Sequence, residues 1–191
     1  SLIQIGADVY VGSEVVSVVA GEGVVRHTYR DINKRAKQLA QALQSAGIGM
    51  TDRVATLAWN DHRHLEAYYG VSGMGAIVHT INPRLFPEQL IYIINHAEDR
   101  ILLTDPMFPP LIEKIIDNCP KLEKIVAMCT AENLPESSLD IIAYEDFIGG
   151  FDGNYAWPEF EETAASSLCY TSGTTGNPKG ALYTHRSTVL H

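Results

Sequence analysis

The chain has 191 residues, with 14 basic and 23 acidic side chains and a formal net charge of −9. That balance excludes nucleic acid and anionic membrane as partners, because both need a basic face. The length is enough for a sizeable core in one or two domains. No apolar run approaches a transmembrane span, and no basic region precedes an apolar core as in a signal peptide.

In chain order, Val15 to Val25 is β-branched and broken by Gly21 and Gly23, the pattern of a hairpin. Thr28 then caps a helix, with Asp31 in the capping-box position. Ile32, Ala36, Leu39, Ala40 and Leu43 follow at helical spacing, and Gly47 supplies the stop. Strands are expected at Arg53–Trp59, Ala76–His79, Ile101–Thr104 and Lys124–Met128. Helices are expected at His62–Met74, Pro87–Ala97 (Leu90, Ile91 and Ile94 inward) and Pro110–Asn118. This alternation predicts an α/β fold with a mostly parallel sheet flanked by helices and right-handed crossovers.

Thr130 to Glu162 is acidic and turn-rich, and reads as a surface connection with one short helix near Tyr144–Ile148. The chain accordingly divides into a strand–helix unit over 1–130, a connection over 131–165, and a strand, loop and further element over 166–191.

That last stretch carries the chemistry. Ser166–Tyr170 reads as a strand, Ala181–Thr184 as another, and Tyr170–Gly180 between them is YTSGTTGNPKG. Gly173, Gly176 and Gly180 allow positive φ and close backbone approach. Converging N–H groups, the hydroxyls of Thr171, Ser172, Thr174 and Thr175, and the Lys179 ammonium suit a polyphosphate. A Walker A loop is excluded: Pro178 precedes the lysine, Gly180 follows it, and the loop leads into a strand rather than a helix. A flexible linker would need neither the lysine nor the apolar strand leading in.

Other polar residues are weaker pointers. His62 and His64 sit two apart at a surface helix start, and such residues share no helix face, so they make a poor metal pair. His79, Asn82 and Arg84 lie at a strand end, where ligands often bind, but Asn82-Pro83 reads first as a turn. Trp59 and Asn60 read as core packing and a turn. His185 either lines an acyl pocket or caps a helix. Cys119, Cys129 and Cys169 match neither a zinc site nor a disulfide framework, and indicate thiols in a reducing cytoplasm.

The loop resembles the phosphate loop of the adenylate-forming superfamily. Two upstream motifs agree: Thr28-Tyr29-Arg30-Asp31-Ile32, and Gly73-Met74-Gly75-Ala76-Ile77-Val78 followed by Asn82-Pro83. The resemblance spans about Val15 to His191. It implies an acid–thiol ligase that uses ATP and Mg2+ to turn a carboxylic acid into an acyl-adenylate, then transfers it to coenzyme A. Thr171, Ser172, Gly173, Thr174, Thr175, Gly176 and Lys179 would be the phosphate-loop residues, with Thr171 also a magnesium ligand. The Asn82-Pro83 turn and the His79–Leu85 segment look more like fatty acyl-CoA synthetases, which implies a medium- or long-chain fatty acid. No catalytic residue is assigned, and the alternatives are a non-catalytic phosphate-binding or interaction protein, or an aryl-CoA ligase or other adenylating enzyme of the same superfamily. The superfamily's adenine, ribose and catalytic-lysine segments would follow His191, so the chain reads as an N-terminal fragment starting at Ser1, inactive alone and prone to self-association.

Overall fold

A computed structural model describes residues 2–171 and 177–191. A short helix, α1 (Leu2–Val9), opens the chain and buries Ile3 and Ala7 as it packs on α2 (Tyr29–Ser45). It was not foreseen, because eight residues give barely two turns of periodicity and so a weak helical signal. Between them β1 (Glu14–Val19) and β2 (Gly23–Thr28) form a separate antiparallel hairpin. Gly21 and Gly23 turn it with φ of 81° and 79°. The expected capping box is present: Asp31 N–H donates to Thr28 Oγ1, and Thr28 N–H donates to Asp31 Oδ2.

The main sheet has seven strands among the described residues. They are β3 (Arg53–Leu57), β4 (Ile77–Thr80), β5 (Asp99–Thr104), β6 (Lys124–Ala127), β7 (Ile141–Ala143), β8 (Ala165–Thr171) and β9 (Lys179–Thr184), in spatial order β7-β6-β5-β3-β4-β8-β9. Every neighbouring pair is parallel except β8 with β9. Alternate side chains feed two cores. Val54, Val78, Ile101, Leu103 and Val126 meet α2, α3 (His62–Gly73) and α6 (Tyr144–Gly149). Ala55, Leu57, Leu102 and Ile125 meet α4 (Pro87–Ala97) and α5 (Pro109–Ile112). Cover on both faces of β3 to β6 explains why these strands read as near-continuous apolar runs.

The structure corrects several local expectations. Ile93 is buried in α4 while Ile91 is half-exposed. The helix expected over 110–118 stops at Ile112. Lys114 and Ile115 N–H bond back three residues, so the chain tightens into a 3-10 turn at Ile116–Asn118. β7 adds an edge strand within the turn-rich connection. Trp59 lies beyond the end of β3, 48% exposed, with its indole N–H on Met107 Sδ at 2.9 Å. His62 is not on the surface: it is buried beneath the hairpin, its ring 4.6 Å from that of His27.

An ion cluster fastens the hairpin to the helices. Arg63 reaches Glu22 at 3.0 Å and Glu145 at 2.8 Å, while Arg35 spans Glu66 at 2.7 Å and Glu145 at 2.9 Å. The Tyr144 hydroxyl donates to Glu66 Oε2 at 2.9 Å. Burial pushes the Glu66 carboxyl up to about 7 against the pull of Arg35. Burial, then the neighbouring Arg63 charge, drives His62 down to about 3.

Candidate functional site

β8 carries the site to the strand C-terminal edge, the usual ligand edge of an open α/β sheet. It runs parallel to β4, pairing Val78 with Ser167 and Thr80 with Cys169. Its last residue, Thr171, stands opposite Lys179, the first of β9. Directly opposed residues share a face of the sheet, so the first hydroxyl and the lysine of the loop are brought together at its root. Both are exposed, whereas Pro178 beside the lysine is buried. Ser172, Gly173, Thr174, Thr175 and Gly176 lie outside the described residues.

The root is packed from below. Tyr170 faces Gly180 across the ladder, and a Cβ on Gly180 would come 3.3 Å from Tyr170 Cζ and 3.2 Å from Leu168 Cδ1. A side chain there would require Leu168 or Tyr170 to shift by a few tenths of an ångström. The Tyr170 hydroxyl shares a 2.6 Å hydrogen bond with His96 Nδ1 at the end of α4. Burial, then the Asp99 charge, pushes the phenol up to about 12. Under the ring lies His79, with centroids 5.1 Å apart. His79 Nδ1 is 2.7 Å from Asp99 Oδ2, and both side chains are fully buried. Ala55 stands opposite His79 on the intervening strand β3, and Asp99 opens β5 opposite Arg53.

On its other face β8 presents Ser167 and Cys169 to a cavity of about 540 Å³, lined also by Tyr68, Tyr183, Thr188 and His191. Thr80 Oγ1 lies 3.1 Å from Cys169 Sγ. The slot ends two residues from Thr171, so a molecule within it could present one end to whatever the loop root holds.

The remaining sequence pointers fall elsewhere. His64 uses both ring nitrogens on Trp59 O at 3.1 Å and Thr56 Oγ1 at 3.0 Å, leaving none for a metal. Among the described residues no group of three or more His, Cys, Asp or Glu side chains could hold a metal ion. Asn82 Oδ1 accepts from Arg84 N–H at 3.0 Å, as a turn requires. Thr184, not His185, caps α7 (His185–Leu190). His185 packs on Phe160 at 4.7 Å beside a second cavity of about 460 Å³, near the start of β8 and roughly 20 Å of strand from Thr171. Cys119 and Cys129 are buried thiols, each pushed up to about 11 by burial.

The upstream glycine motif has a packing reason. A Cβ on Gly73 would meet Trp157 Cζ3 at 2.7 Å, and Gly75 has φ of 89°. Sequence reasoning missed His96 and Asp99. Asp99, a charged residue opening an apolar strand, carried a readable signal; His96, exposed on a helix, carried none.

Comparison with known proteins accords with this geometry. The chain is 52% identical over its whole length to a medium-chain-fatty-acid–CoA ligase of Ectopseudomonas oleovorans, covering 35% of that protein. It is 50% identical to a 3-methylmercaptopropionyl-CoA ligase of Ruegeria pomeroyi, covering all of this chain and 36% of that one. It therefore spans about a third of the length of these curated relatives. An anthranilate CoA ligase solved with anthranoyl-AMP superposes with a TM-score of 0.81 at 30% identity, over 87% of this chain and 31% of that one. The family model for AMP-binding enzymes matches residues 7–190, and the chain belongs to that family.

Proposed function

We infer that the intact protein is an ATP-dependent acyl-CoA ligase, and that this chain carries the phosphate-binding edge of its active site. The observation that carries the reading is the pairing of Thr171 with Lys179 at the root of YTSGTTGNPKG, on the ligand edge of the sheet. Its similarity to CoA ligases over the whole chain supports it.

The carboxylate attacks the α-phosphorus of ATP and pyrophosphate leaves. The thiol of coenzyme A then displaces AMP from the acyl-adenylate. For the first step the chain's task is positioning and charge stabilisation. Lys179 supplies a point charge to the β- and γ-phosphates. Thr171, Ser172, Thr174 and Thr175 add hydroxyls, while Gly173 and Gly176 let backbone N–H groups approach. A lone hydroxyl beside phosphate oxygens fits Mg2+, which takes few protein ligands, so Thr171 would hold that ion and it would neutralise phosphate charge.

The acid is a medium- or long-chain fatty acid, with its tail in the slot beside Ser167 and Cys169. A sulfur-bearing short acid is the second reading, favoured by the near-equal identity to the 3-methylmercaptopropionyl-CoA ligase. Three unpaired cysteines suit a cytoplasmic setting, and among the described residues no helix is long and apolar enough to cross a membrane. The test is acid-dependent ATP–pyrophosphate exchange by the protein of the complete reading frame, over straight-chain acids and 3-methylmercaptopropionate. Preference for chains of six carbons or more supports the fatty-acid reading. Exchange with no acid overturns the ligase reading.

A further inference from the structure

We propose that His96 is a positioning residue for the phosphate loop, acting through Tyr170; the claim of a kinetic effect rests on the ligase reading above.

Tyr170 is the last residue before the Thr171–Lys179 pair, so its placement sets where that pair stands. Three contacts fix it. Gly180 leaves no spare room on one side of the ring, with a Cβ there at 3.3 Å. The His79 ring, held by fully buried Asp99 at 2.7 Å, supports it at 5.1 Å. The hydroxyl is held by His96 Nδ1 at 2.6 Å, and His96 is stacked in turn on Tyr92 at 5.4 Å and 26°.

These contacts differ in what they can govern. The first two are packing, and any aromatic ring of the right size would satisfy them. The bond to His96 alone requires a hydroxyl. It also joins two elements of distant sequence, since β8 and α4 lie 74 residues apart at this contact. His96 itself is exposed, so burial does not account for a histidine there. Its bond gives the end of α4 a direct hold on the first strand of the loop. Loss of the bond leaves Tyr170 packed but free to shift along His79, and Thr171 and Lys179 move with it.

The test is a double-mutant cycle in the protein of the complete reading frame, with Tyr170→Phe, His96→Ala and both together. Each single change raises KM for MgATP about threefold to tenfold, the worth of one hydrogen bond, and leaves kcat within about twofold. The double variant is no worse than either single one, because one bond is lost in all three. His96→Gln, which keeps an acceptor, recovers most of the affinity. Amide hydrogen exchange at Thr171 and Lys179 quickens in both single variants and returns toward wild type in His96→Gln. Additive changes in KM, or exchange at Thr171 and Lys179 unmoved by either single change, overturn the proposal. A wild-type protein with no acid-dependent use of ATP would defeat the ligase reading instead, and the exchange measurement alone would then decide whether His96 holds the loop root.

Discussion

Gly70 of α3 lies so close to Ala36 of α2 that a Cβ on it would come 2.8 Å from the Ala36 carbonyl oxygen. This contact lets the two helices meet backbone to backbone beneath the sheet. Helix propensity alone favours Gly70→Ala by about 1 kcal/mol. The opposing atom belongs to a backbone and cannot rotate away, and overpacking costs about 1–3 kcal/mol. The variant is therefore less stable than wild type, by up to about 2 kcal/mol in urea unfolding. A gain in stability would show that α2 and α3 stand further apart.

Asp99 and His79 form a fully buried pair. Removing one partner strands the other in a medium that cannot solvate it. Asp99→Ala should cost about 3 kcal/mol of stability, read from the urea midpoint. A loss under about 1 kcal/mol would mean that His79 has another partner.

Glu66 gives the ion cluster a pH dependence of definite sign. Its folded carboxyl sits at about 7 against an ordinary value of 4.5. The folded state thus holds a proton that the unfolded chain has released. This contribution is full below pH 4.5 and is lost as the pH rises through 7. Glu66→Gln cannot titrate, so it should gain about 1–3 kcal/mol relative to wild type between acid and neutral pH. His62 acts in the opposite sense. Its contribution is full above 6.5 and is lost as the pH falls through about 3. Denaturant titrations at several pH values separate the two, and a wild-type-to-Gln difference flat with pH would contradict the assignment.

Leu182, Tyr183, Val189 and Leu190 are all exposed, at 58%, 48%, 61% and 74%, on β9 and α7. From this apolar surface at one edge we predict that the 191-residue chain associates with itself. Light scattering should show mass rising with concentration, and Leu182→Lys with Leu190→Lys should suppress it.

The alternation of elements was legible because each has its own period and punctuation. Thr28 and Asp31 marked one helix start, and Gly47, with φ of 82°, marked its end. The loop stood out because three glycines, four Ser and Thr hydroxyls and a lysine fall within Tyr170–Gly180; its phosphate role remains a proposal. What remained hidden was long-range. Nothing local in Ile141–Ala143 marks an edge strand, whose pairing with β6 exists only in the folded sheet. His62 gave the surface signal of a polar helix start, and only the hairpin packed above it makes it buried. The partnership of His96 with Tyr170 joins residues that no sequence period connects.

The central claim is that the loop rooted at Thr171 and Lys179 holds the triphosphate of ATP during acid activation. Acid-dependent ATP–pyrophosphate exchange by the protein of the complete reading frame, wild type against Lys179→Ala, tests it most directly. The account predicts robust exchange with a fatty acid in the wild type and a fall in kcat/KM for MgATP of roughly a hundredfold in the variant, about 3 kcal/mol of lost charge stabilisation. Exchange undiminished in Lys179→Ala would contradict it.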